Sequence, residues 1–138
     1  MSLIERQKKL VDEFAALSTW EDRYKRIIES GKTLPAYPEE HRLDKFKVSG
    51  CQSQVWLFPE MKDGKLFFHA DSDALITKGL IAILMRIYSG APAKEILQTA
   101  PDFINQIGMA DKLSPSRANG LFSMIKQIKL YATVFANL

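Results

Sequence analysis

The chain is poor in the residues that staple a fold or carry it through a membrane. Cys51 is the one cysteine among 138 residues, so no internal disulfide can form. With only His41 and His69 beside it, there is no spacing that reads as a Cys/His metal cage. No run approaches the roughly 18 apolar residues that a membrane span needs. The best candidate, Leu80 to Met85, is far too short. The N-terminus lacks the apolar core of a signal peptide, and both absences lead us to expect a cytoplasmic protein with no membrane partner. Charge of one sign is not gathered anywhere either. Lys and Arg number 19 against 16 Asp and Glu, for a net charge of +3, and they are scattered, which gives no reason to expect a nucleic acid. Arg6, Lys8 and Lys9 alternate with apolar positions, as on a solvated helix face. There is no repeat and no low-complexity tract. With 46% hydrophobic residues, the composition fits one domain over residues 1–138 with a substantial core.

What is present patterns as α+β. Ser2 and Glu5 have capping-box spacing ahead of Leu3, Leu10, Val11, Phe14 and Leu17, which recur at helical intervals. Ser18 and Glu21 repeat the signature before Trp20, Tyr24, Ile27 and Ile28, and Gly31 reads as the stop. Pro35 and Pro38 make residues 33–44 an irregular crossing. The period then changes. Phe46 to Val48, Gln54 to Phe58 and Leu66 to His69 are short and rich in β-branched or aromatic residues, and Asp63-Gly64 suits a tight hairpin turn. These predict a small antiparallel sheet of about three strands, with Ser49-Gly50-Cys51 in the connection between the first two. Asp71-Ser72-Asp73 offers cap-type side chains to a helix carrying Ile76, Leu80, Ile83, Leu84 and Ile87, ended by Gly90. Short helices follow, from Pro92 through Leu97 and from Asp102 to Ile107, with Gly108 closing the second. Ser114-Pro115 opens a last helix bearing Leu121, Ile125, Ile128, Ala132 and Phe135.

A lone cysteine is most often an inert core residue. Cys51, however, is surrounded by Val48, Ser49, Gly50, Gln52, Ser53 and Gln54 in a predicted loop, where packing gives little reason for a thiol. Three readings stand side by side. Sulfur transfer needs only one accessible thiolate, which attacks the terminal sulfur of a partner's persulfide in the manner of thiol–disulfide exchange. A thiol hydrolase needs in addition a base and an oxyanion hole, and His69 is the obvious base. The third is a non-catalytic interaction module with an inert cysteine. A redox role lacks the second cysteine of a Cys-x-x-Cys pair.

The motifs also carry a resemblance. Gly50-Cys51-Gln52-Ser53-Gln54-Val55-Trp56, Asp71-Ser72-Asp73-Ala74 with Lys78-Gly79-Leu80-Ile81-Ala82, and Leu113-Ser114-Pro115-Ser116-Arg117-Ala118-Asn119-Gly120-Leu121 resemble the SufE family of cysteine-desulfurase sulfur acceptors. The likeness extends through Trp20-Glu21-Asp22-Arg23-Tyr24 and Gly31-Lys32-Thr33-Leu34-Pro35, and it includes features of the related CsdE branch. The resemblance implies a SufE-like α+β fold and a persulfide carried on Cys51. It implies a SufS-like or CsdA-like desulfurase as partner, and a downstream iron–sulfur scaffold as recipient. Pyridoxal phosphate (PLP) would belong to that desulfurase, so this chain is expected to need no cofactor or metal. It would act as carrier and activator rather than as an enzyme with independent turnover. Exposed apolar residues near the loop would support a weak homodimer.

Three further residues have physical arguments beside the family ones. Arg117 falls in the first turn of the last helix, where the macrodipole disfavours a cation by up to about 1 kcal/mol, so a role outside the helix is expected. The resemblance places it near the sulfur loop, where it would contact the partner or favour the thiolate. Asp71 and Asp73 are explained by capping alone, with loop support or partner docking as the functional alternative. Gln52 and Lys78 are weaker, as a loop hydrogen-bonding group and a surface cation. A carrier gains from sheltering its sulfur, yet apolar burial slows attack, so Cys51 is expected to be covered at rest and to swing out on docking, with Gly50 as hinge.

Overall fold

The computed structural model describes residues Met1–Leu138. Ser2 Oγ accepts from the Glu5 amide at 3.1 Å and the Glu5 carboxylate accepts from the Ser2 amide at 3.3 Å, so the capping box opens α1 (Leu3–Ala15). The second helix, α2 (Trp20–Gly31), starts one residue later than Ser18 suggests. Thr19 Oγ1 takes the Asp22 amide at 3.1 Å, a pair with the same three-residue spacing. Gly31 is not a left-handed stop, because its φ is not among the positive ones. It is needed for contact: a Cβ there would lie 3.0 Å from the Gly79 amide nitrogen.

The sheet is a two-stranded antiparallel hairpin, β1 (Val55–Lys62) and β2 (Lys65–Ser72). Asp63 and Gly64 turn it with φ of 52° and 77°, the left-handed pair of a type I′ turn. Both strands run longer than the apolar pattern alone indicates, since the tip is exposed and polar. Val55, Leu57, Leu66, Phe68 and Ala70 face the core. The expected third strand, Phe46 to Val48, is a correction. Asp44–Phe46 is a 3₁₀ turn, and only a single bridge, Lys47 to Trp56, joins β1. The reason is aromatic packing. Phe46 meets His41 and Phe58 edge-on at 5.6 and 5.0 Å, and His41 stacks on Phe58 at 3.8 Å. These rings cover the outer face of the hairpin instead of extending it.

Helix α3 (Leu75–Tyr88) is buried nearly all round, as its apolar run requires. It packs on β2 and crosses α2, where a Cβ on Gly79 would come within 2.0 Å of the Ile27 carbonyl oxygen. The chain continues through α4 (Ala93–Gln98), α5 (Phe103–Ile107), an unanticipated single turn α6 (Met109–Lys112), and α7 (Pro115–Ala136). Ser114 Oγ accepts from the Arg117 amide at 3.3 Å and Pro115 opens the last helix. Lys129 on α7 reaches the end of α4 and donates to the Ile96 and Thr99 carbonyls, tying the two helices. No helix is long and apolar enough to cross a membrane.

Candidate functional site

The loop between Val48 and Val55 is pinned at both ends. The Val48 amide donates to the Val55 carbonyl at 2.9 Å, and the Gln54 amide donates to Asp73 Oδ1 at 3.0 Å. Between these anchors Gly50 takes φ +85°, a conformation open to glycine but strained for L side chains. A Cβ at that position would also fall 2.5 Å from Ser123 Oγ of α7. The turn therefore lies flat on α7 and directs Cys51 toward Gly120, whose carbonyl accepts from the Cys51 S–H at 3.6 Å.

Cys51 is half-buried rather than fully covered. It borders a cavity of about 130 Å³. Ile76, Leu80, Leu121 and Met124 form apolar walls, and Gln52, Ser53, Thr77, Ser116 and Arg117 add polar ones. Burial pushes the Cys51 thiol above its ordinary value, because the charged form is the one that loses solvation. At neutral pH the resting group is therefore the neutral thiol. The sign has a measurable consequence. The unfolded chain ionises Cys51 at the ordinary thiol pKa and the folded one only above it. Stability contributed by the neutral thiol is thus complete below the ordinary value and lost as pH rises through the folded one. Alkylation of the native protein by iodoacetamide is expected to rise with pH along a curve displaced upward from that of the denatured chain. Coincident curves would contradict the burial argument.

Arg117 lines the same cavity and is exposed, so it stands at the mouth. No carboxylate lies within ion-pair reach of its guanidinium. Neither aspartate caps α3. The cap residue is Ala74, without a side-chain bond, and the Ala74 amide instead donates to Ser72 Oγ at 3.2 Å. Asp73 holds the loop through Gln54. Asp71 is an ion-pair centre, 3.0 Å from Arg42 and 3.4 Å from Lys78. Arg42 in turn lies 4.7 Å over the Trp56 ring and 5.2 Å over Tyr37, fastening the irregular segment to the strand that follows the sulfur loop. Asp73→Ala, by removing one exposed charge-assisted bond, is expected to raise Cys51 alkylation roughly fivefold at neutral pH, equivalent to ~1 kcal/mol. An unchanged rate would show that Asp73 does not restrain the loop.

His69 does not join Cys51. It is absent from the cavity wall, its Nε2 lies 3.3 Å from Glu60, and it neighbours Phe58 on the outer face of the hairpin. The Cys51–His69 pairing that a hydrolase would need is not assembled. Sequence reasoning missed Gly120, the thiol's acceptor, and Arg42. A glycine four residues into a helix gives no signal of a carbonyl aimed at a distant loop. Ile76, Leu80 and Leu121 were readable as buried, but not as walls of this cavity.

Comparison with known proteins agrees with this geometry. An uncharacterized SufE-like protein of Rhizobium meliloti (strain 1021) is 48% identical over 126 residues, covering 88% of this chain and 90% of that protein. The sulfur acceptor protein CsdE of Escherichia coli (strain K12) is 36% identical over 117 residues, covering 83% and 80%. The solution structure of a hypothetical protein from Thermus thermophilus superposes with a TM-score of 0.81 over 96% of this chain and 97% of that one. At 19% identity it supports the fold alone. The model of the SufE domain, described as an Fe-S metabolism associated domain, matches residues 8–132, and the chain belongs to the SufE family.

Proposed function

We propose that the protein accepts sulfur from a PLP-dependent cysteine desulfurase as a persulfide on Cys51, and passes it on for iron–sulfur cluster assembly. The observation that carries this reading is the half-buried thiol beside a small cavity with Arg117 at its mouth. That setting shelters one extra sulfur atom but leaves no room for a large substrate. The named relative CsdE, a sulfur acceptor, supports the same reading.

The chemistry is an exchange at sulfur. Cys51 loses its proton to solvent, and its thiolate attacks the outer sulfur of the partner's R–S–SH. The new S–S bond forms on Cys51 as the partner's S–S bond breaks. The partner leaves as thiolate R–S⁻ and Cys51 becomes the persulfide. No net oxidation occurs. The same step with Cys51 as donor delivers the sulfur to a downstream scaffold. Because the resting thiol is neutral, the step requires the loop to open toward solvent or the partner, which lowers the barrier to ionisation. The PLP belongs to the desulfurase, whether SufS-like or CsdA-like. The chain is then a cytoplasmic carrier and activator that relieves the partner of its persulfide.

The deciding experiment is intact-mass analysis after incubation with a cysteine desulfurase and free cysteine. We expect an added mass of one sulfur atom, mapped to Cys51 and removed by reductant. Absence of the adduct with both SufS-like and CsdA-like desulfurases would end the reading.

A further inference from the structure

Cys51 sits between two chemically different ends of one cavity. At the inner end its S–H donates to the Gly120 carbonyl at 3.6 Å, among the buried side chains Ile76, Leu80, Leu121 and Met124. A carbonyl oxygen is an acceptor with partial negative charge, so it holds a thiol but offers nothing to a sulfur that has lost its proton. At the outer end stands Arg117, exposed and without a carboxylate partner.

A persulfide differs from the thiol in two respects. It is longer by one S–S bond of about 2 Å, and it is the stronger acid, since the adjoining sulfur stabilises the anion. Near neutral pH the outer sulfur is charged where the buried thiol is not. Placing that charge against an apolar wall and a carbonyl costs several times what one weak S–H bond returns. The loop has the means to respond. Its ends are fixed by the Val48–Val55 and Gln54–Asp73 bonds, and Gly50 provides the hinge between them.

We propose that the charge on the sulfur of Cys51 sets the position of the loop: the neutral thiol is latched inward on the Gly120 carbonyl, and the anionic persulfide shifts residues 49–53 outward to the mouth held by Arg117. This rests on the sulfur-acceptor reading and adds direction to it. The empty carrier stays closed until a partner opens it, whereas the loaded carrier presents its sulfur unaided.

The test uses the full chain without any desulfurase. Cys51 is loaded with sulfane sulfur by inorganic polysulfide, the loading is checked by intact mass, and hydrogen exchange over residues 48–54 is compared with the thiol form. The control is the neutral S-methyl disulfide, which is as long as the persulfide and bulkier. The expected result is about a tenfold gain in exchange for the persulfide and little for the methyl disulfide, with the gain reduced in Arg117→Gln. Equal exchange in thiol and persulfide overturns the proposal, and so does an equal gain in persulfide and methyl disulfide, which would assign the movement to size. Failure of the sulfur-acceptor reading itself would appear elsewhere, as absence of sulfur uptake from a desulfurase.

Discussion

A Cys51→Ser protein is expected to take up no sulfur and to lose its stimulation of a matched desulfurase by at least about a hundredfold, while keeping its fold. The argument has two parts. Serine lacks the acidity and the sulfur nucleophilicity that the exchange needs, and a hydroxyl becomes a useful nucleophile only beside a base. No base lines this cavity, since His69 is engaged with Glu60 on the other face of the hairpin. The structural cost is small because the serine hydroxyl can donate to the same Gly120 carbonyl that now accepts from the thiol, which limits the stability change to about 1 kcal/mol. Desulfurase turnover with intact-mass readout, alongside thermal unfolding, measures both halves. Retained stimulation by Cys51→Ser would make the cysteine passive and favour a simple interaction module. His69→Ala is the matching control, expected to leave both readouts unchanged, whereas a hydrolase would lose its activity.

Local signals in the chain carried much of this architecture. The Ser2 capping box, the Asp63-Gly64 turn and the Ser114-Pro115 start are short-range devices whose partners lie within a few residues, and the structure contains each of them. The apolar run around Leu80 placed α3 at the centre because such a helix has no face to give to water. Failures came where the deciding contact is distant in sequence. Phe46 has strand-like composition, but its ring is claimed by His41 and Phe58. Asp71 and Asp73 look like caps until Arg42 and the Gln54 amide are brought to them across the fold. The same limit applies to the site. Cys51 stood out because a thiol in a polar loop lacks a packing reason, while Gly120 has no side chain from which a role could be read.

The largest effect on stability is expected from Gly79→Ala, where two opposing magnitudes decide the sign. On propensity alone, alanine for glycine inside a helix favours folding by roughly 1 kcal/mol. At this crossing the added Cβ would lie 2.0 Å from the Ile27 carbonyl oxygen and 2.7 Å from its carbon. Both are backbone atoms of α2, so no side chain can rotate away, and the helices must separate by more than an ångström. Separation opens the contact between Ile27 and α3, both deeply buried, and adds lost packing to the steric cost. Overpacking of this kind costs about 3 kcal/mol or more and outweighs the propensity gain. The expected outcome is a fall in Tm of about 10 °C or greater, read by calorimetry or denaturant unfolding. Gly31→Ala across the same crossing is milder, since its Cβ would meet the Gly79 nitrogen at 3.0 Å, and the ordering of the two variants is itself diagnostic. If Gly79→Ala were as stable as the parent, α2 and α3 could not be crossing with their backbones in contact at Ile27. The platform that holds Leu80 and Ile76 beneath the thiol would then have to be built some other way.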